Sequence, residues 1–219
     1  MSAAKSTARR PARERLLAAA DELFYEEGVH TVGIDRVIER AGVAKGSLYY
    51  TFGSKDELVR AYLTRRHEVR RDRIVARLAG RENPREQILA IFELLEELYA
   101  EPGFRGCAFL NASAEAQPGS AAEQVCETSR AWVQALFVEM AERLNASDAH
   151  ALGRQLVMLY DGATVAAQLD KDPSVAADAR TAAAALIEMM TTPDKSCTTA
   201  PATKDGPTSP SHTPSPQPH

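Results

Sequence analysis

The sequence has little that would let the chain cross a membrane, hold a metal or perform covalent chemistry. No apolar run approaches the roughly 18 residues that a spanning helix requires, so no membrane partner is expected. There are three cysteines in 219 residues, Cys107, Cys126 and Cys197. Their spacing fits neither a paired framework nor a metal-ligand set. His212 and His219 are too sparse for a metal site, and no cofactor or metal is expected. The chain has no Walker loop, Gly-rich dinucleotide turn, GxSxG elbow or HExxH helix. Glu96-Glu97 and Asp161-Gly162 lie isolated, without a histidine nearby. No catalytic residue is named, and the chain is not expected to be an enzyme. Strand-like alternation is also missing. The N-terminal stretch MSAAKSTARRPARER lacks the apolar core of a secretory signal. Together with unpaired thiols, this makes a reducing, cytoplasmic location the expectation.

What is present is helical periodicity and an uneven charge. Residues 1–81 carry 17 Lys+Arg and 11 Asp+Glu, a balance of +6, whereas residues 82–219 balance to −10. A basic first part on an acidic remainder suits a polyanion partner for the first part. The arginines 65, 66, 70, 71, 73 and 77 serve either that purpose or simple solvation of a long helix.

The stretch from Gly33 to Lys55 organises the rest. Ile34, Val37 and Ile38 share one helical face. Gly42 falls where that helix stops, and Leu48 and Phe52 continue the apolar side on the next helix. Between the apolar positions lie Lys45, Gly46, Ser47, Tyr49 and Tyr50. A helix of two turns cannot hold itself together in water, so its apolar neighbours must fix it. That leaves its outer face free, which is the arrangement of a helix-turn-helix. An ordinary helical hairpin with a solvated face is the alternative.

The segment resembles the N-terminal domain of the TetR (tetracycline-repressor-like) family of bacterial regulators. The resemblance is carried by Thr31, Ala41-Gly42-Val43, Lys45 to Tyr50, Phe52, Gly53-Ser54-Lys55 and Glu57-Leu58, and covers roughly Arg10 to Tyr62. Ala44 departs from it, standing where the family often has Ser or Thr, so Ala44 is not counted as a DNA contact. The candidate DNA-binding residues are Thr31, Lys45, Gly46, Ser47, Tyr49, Tyr50 and Lys55. Lys45 and Ser47 are candidates for base edges or phosphates, Tyr49 and Lys55 for phosphates.

Helices are expected over about Arg10–Glu27, Val32–Arg40 (Thr31 as its N-cap region), Ala44–Tyr50, Ser54 to near Gly80, and Asn83-Pro84 to near Pro102. Four more are expected over Cys107–Ala116, Ala121–Leu144, Asp148–Asp170 and Ser174–Met190, about nine in all. The fold class expected is all-α. Residues 10–70 would form the DNA-binding domain and residues 71–191 a ligand-binding and dimerisation domain. Residues 192–219 read as a disordered tail, since the stretch from Thr191 holds 7 of the 12 prolines. Residues 1–9 read as a flexible arm.

The resemblance further implies a homodimer on a palindromic operator in double-stranded DNA, released by a small-molecule inducer. Candidate ligand-binding residues are Phe92, Tyr99, Cys107, Phe109, Asn111, Glu115, Trp132, Met158 and Tyr160, any of which can instead be plain core. Cys107 lies two residues after Arg105 near a helix start, which favours thiol reactivity; a small buried residue is the plainer role. Gly162, Ala163, Ala166, Ala179, Ala183 and Leu186 are candidates for the dimer interface, or for close packing within one chain. A helical interaction module without DNA binding is the other class kept open, and an enzyme the more remote one.

Overall fold

The computed structural model describes residues 11–191. The expected N-terminal arm and Pro-rich tail, with Cys197, His212 and His219, lie outside the described residues. Among those described there are nine α-helices and no strand: α1 (Ala12–Glu27), α2 (Ile34–Ala41), α3 (Lys45–Phe52), α4 (Lys55–Leu78), α5 (Pro84–Tyr99), α6 (Ala108–Glu115), α7 (Ala121–Arg143), α8 (Ala149–Asp170) and α9 (Val175–Thr191).

Local chemistry sets most boundaries. Ser54, Ser120 and Asp148 each accept a bond from the backbone N–H three residues on, and Asn83 accepts from Arg85 N–H. These are side-chain caps on donors that a helix start leaves free. Pro84 fits the first turn of α5, where no N–H is needed. Thr31 is not a cap: α2 begins at Ile34, two residues later than expected, after the N-cap Gly33, which has no side-chain cap. The third helix runs two residues past Tyr50, and Ala44 caps it with backbone alone.

Two buried clusters form the core, and they part along α4. The first joins Leu16, Ala20, Phe24, Val37, Leu48, Leu58 and Tyr62, with Phe24 and Tyr62 edge-to-face at 5.5 Å. Ala108, Phe109 and Ala112 of α6 and Cys126 of α7 belong to this cluster, although they come much later in the chain. The second joins α5, α7, α8 and α9 through Ile91, Phe92, Phe137, Met140, Leu152 and Ile187, with Ile74 of α4. One 24-residue helix, about 36 Å long at 1.5 Å per residue, therefore enters both clusters. Within the second cluster α7 and α8 approach closely at Gly153. A Cβ there would lie 2.5 Å from Val138 Cγ2 and 3.1 Å from its backbone N and Cα.

Candidate nucleic-acid interface and effector cavity

The turn between α2 and α3 is built on Gly42, whose φ of 60° and ψ of 44° are left-handed, a conformation that glycine adopts without strain from a Cβ. Val43 N–H then donates to Ile38 O, closing the helix end. Arg15 of α1 donates to the carbonyls of Ala41 and Gly42 at 3.0 and 2.8 Å. A cation on the negative end of α2 satisfies carbonyls that the helix leaves free. Arg36–Glu27 (2.8 Å) and Arg40–Glu22 (3.0 Å) tie α2 back to α1. The pair is thus clamped from behind, and Leu48 of α3 is fully buried against it.

The front of α3 carries Lys45, Gly46, Tyr49 and Tyr50, all exposed, with Tyr50 95% exposed. Ser47 is half-buried, and its carbonyl accepts the Thr51 hydroxyl at 2.6 Å. It is therefore less available than the outward position expected of it. Lys45 donates to Asp35 at 2.9 Å, and that hydrogen bond, with the attraction of the carboxylate, raises its pKa. Lys55 is half-buried at the start of α4, where burial lowers its pKa against the opposing charge of Glu115. Thr31 is exposed on the loop before α2.

Three of the α4 arginines are taken up in ion pairs with residues outside α4. Arg66 binds Asp21 through both arms of its fork, at 2.6 and 3.0 Å. Arg73 pairs with Glu101 and Arg77 with Glu97. These cations staple helices together, a role that the charge count alone could not separate from polyanion binding.

A cavity of about 550 Å³ lies behind the reading helices, between α1, α4, α5, the loop before α6, and α8. Tyr99, Cys107, Phe109 and Tyr160, of the ligand candidates, line it. Tyr99 and Thr164 share a 2.8 Å hydroxyl contact, while Thr164 also donates to Tyr160 O. Burial raises the pKa of both tyrosines. The other candidates are elsewhere. Phe92 is sealed in the second core cluster. Trp132 packs on the His67 ring at 5.7 Å. Met158 is 70% exposed on the outside of α8. Asn111 donates to the Arg105 carbonyl at 3.0 Å. Glu115 accepts from His30 N–H at 3.0 Å, fastening α6 to the loop after α1.

The cavity wall includes groups that no sequence pattern marked. Tyr25 of α1 accepts from Arg105 N–H and donates to Gly106 O, at 2.9 and 3.0 Å. The Arg66 guanidinium lies over its ring, 4.0 Å from the centroid. Arg70 reaches across to α7, donating to the carbonyl and hydroxyl of Ser129. Spacing cannot reveal these, because each joins residues 41 to 81 positions apart.

Of the dimer candidates, Ala163, Ala179 and Ala183 are buried within the single chain. Small residues there let α8 and α9 approach other helices of the same molecule. Gly162 is exposed, and Ala166 and Leu186 are half-buried. Exposed Met158, Val165 and Leu169 share the Gly162 side of α8, a spacing the sequence reading did not single out.

No helix among the described residues is long and apolar enough to cross a membrane, and none of their His, Cys, Asp and Glu groups cluster as metal ligands would.

Residues 16–62 match the family model described as bacterial regulatory proteins, tetR family. A solved TetR-family transcriptional regulator from Streptomyces coelicolor is 34% identical, with a TM-score of 0.78, covering 83% of this chain and 96% of that one. The HTH-type transcriptional activator FasR of Mycolicibacterium smegmatis is 49% identical over 53 residues, 24% of this chain and 24% of that protein. The HTH-type transcriptional repressor NemR of Escherichia coli is 32% identical over 105 residues, 47% of this chain and 53% of that protein. The chain thus spans about a quarter to a half of the length of these curated relatives.

Proposed function

Because the chain belongs to the TetR family of bacterial transcriptional regulators, we propose that it is a ligand-released repressor that binds a palindromic operator as a homodimer. The observation that carries this reading is α3 itself. Leu48 is fully buried, while Lys45, Gly46, Tyr49 and Tyr50 stand outward together. An eight-residue helix fixed from behind is suited to enter a major groove. Tyr49 and Tyr50 supply hydroxyls and ring faces, Gly46 permits close approach, and Lys45 can exchange Asp35 for a phosphate. Thr31 and Lys55 flank this face as supports; Ser47 is the weakest of the candidates because of its burial.

For the dimer, the exposed Met158, Gly162, Val165 and Leu169 recur at helical spacing on α8, with exposed Met189 on α9. This apolar stripe is the surface we assign to the second copy. The inducer would occupy the cavity behind α4. Its lining includes residues of α1 and α4, which carry the reading head, and of α5 and α8, which belong to the other cluster. A ligand that binds one arrangement of these helices better than another shifts the population of head spacings. We also propose that residues 10–70 act as the reading domain and 71–191 as the effector and dimer domain.

The test is a mobility-shift titration with DNA flanking the protein's own gene, against random DNA of equal length. Specific retardation with dimer stoichiometry is expected. Equal affinity for both DNAs at physiological salt would refute the regulator reading.

A further inference from the structure

We infer that the cavity takes a small organic carboxylate with an apolar body, its carboxylate held by Arg70; this rests on the ligand-released reading and names the class of ligand. Arg70 is a guanidinium on α4 that forms none of the ion pairs among the described residues. Arg66, Arg73 and Arg77 on the same helix all do, whereas Arg65 and Arg71, also outside these pairs, are exposed to solvent. Its acceptors are neutral, the carbonyl and hydroxyl of Ser129. Its Nε is buried with no acceptor. The guanidinium lies over the Phe109 ring, 4.4 Å from the centroid, and it bears on the buried Tyr160 hydroxyl, opposing the upward pull of burial.

A guanidinium stays charged at any physiological pH, and a half-buried one without a counter-charge is unfavourable. Among the described residues no carboxylate forms an ion pair with it. Among the carboxylates lining the cavity, Asp21 is held by Arg66, Glu22 by Arg40 and Glu101 by Arg73. Glu26 is exposed on α1. A planar guanidinium fork matches a carboxylate in geometry. Part of the wall is apolar, with Ile74, Ile91, Leu94, Leu95 and Phe104. About 550 Å³ is within the range of small-ligand sites. The partner is therefore amphipathic: a charged end at Arg70 and a hydrocarbon or aromatic body along α5.

The experiment uses the full-length protein and paired probes, octanoate with octanamide and 4-phenylbutyrate with its amide. Binding is followed at pH 7.5 by calorimetry and by fluorescence of Trp132, the one tryptophan, which contacts the His67 ring beside Ser129. At least one acid should bind tenfold or more tightly than its amide, and Arg70→Gln should remove that preference while leaving amide binding. Arg70→Lys should keep part of it. In the absence of probe, Arg70→Met should melt at the same temperature or higher, because it removes an uncompensated charge. No acid-over-amide preference, no binding of any probe, or a preference that survives Arg70→Gln would overturn the proposal. The titration contains no DNA, so a failure of operator binding leaves it intact. Operator release by neutral compounds alone would overturn the carboxylate while sparing the ligand-released repressor.

Discussion

Tyr50 has nearly its whole side chain in solvent and no packing role in the first core cluster. Its ring is therefore free to contribute to recognition and not to folding. Tyr50→Ala should change stability by less than about 0.5 kcal/mol, as for surface positions generally, yet weaken operator binding at least tenfold in a shift assay. His67 is the opposite case. Burial lowers its pKa, aided by Arg70 and Arg71 and opposed by Glu68. Ser129 accepts from Arg70 and so is placed to donate to His67 Nδ1 at 3.0 Å, which needs a neutral ring. The folded pKa lies below the unfolded value of about 6.5. The unfolded chain then takes the proton first, and stability present above pH 6.5 declines as pH falls below it. Urea midpoints should drop between pH 7 and pH 5, and His67→Gln should show a shallower drop than wild type.

At the level of elements, α3 shares with α2 and α6 the shortest length among the described helices, and it is the one proposed to meet DNA. It is eight residues long, and the Ala44 side chain offers its free N–H groups no acceptor. Ala44→Ser should supply a side-chain acceptor and raise stability by about 1 kcal/mol, measured by chemical denaturation. Where α7 and α8 cross, the tolerance is reversed. The Cβ of Gly153→Ala would meet Val138 backbone atoms at 3.1 Å. Overpacking of this kind costs about 1–3 kcal/mol, so the variant should melt measurably lower although Ala is the better helix former. Both expectations concern helix ends and crossings. Most helix ends were legible in the sequence to within one or two residues, because Ser54 and Asn83-Pro84 are local signals, while α5 stops at Tyr99, three residues before the expected Pro102. The crossing was not, because Gly153 looks like any other helical glycine.

For the whole molecule, the reading head and the remaining helices are joined by α4, by Tyr25 of α1 bonded to the loop before α6, and by Glu115 of α6 bonded to the loop after α1. The apolar stripe on α8 is the surface left over once the single chain is packed. Val165→Glu should convert the protein to monomers in sedimentation experiments and reduce operator affinity by at least tenfold, with the helical content unchanged. A dimer that survives this substitution would place the interface elsewhere.

The sequence by itself determined the helical class, the position of the turn at Gly42, and the face of α3 that carries Lys45, Tyr49 and Tyr50. Those follow from spacing of 3.6 residues and from local capping, which act within a few residues. Only the tertiary structure decided which charges are consumed. Arg66, Arg73 and Arg77 become staples, Arg15 a helix cap and Arg70 a cation without a counter-ion. Phe92 is sealed away, Met158 is turned outward, and Ala163, Ala179 and Ala183 are spent on packing inside one chain. The physical reason is that pairing and burial depend on partners tens of residues away, and no local period encodes where those partners arrive.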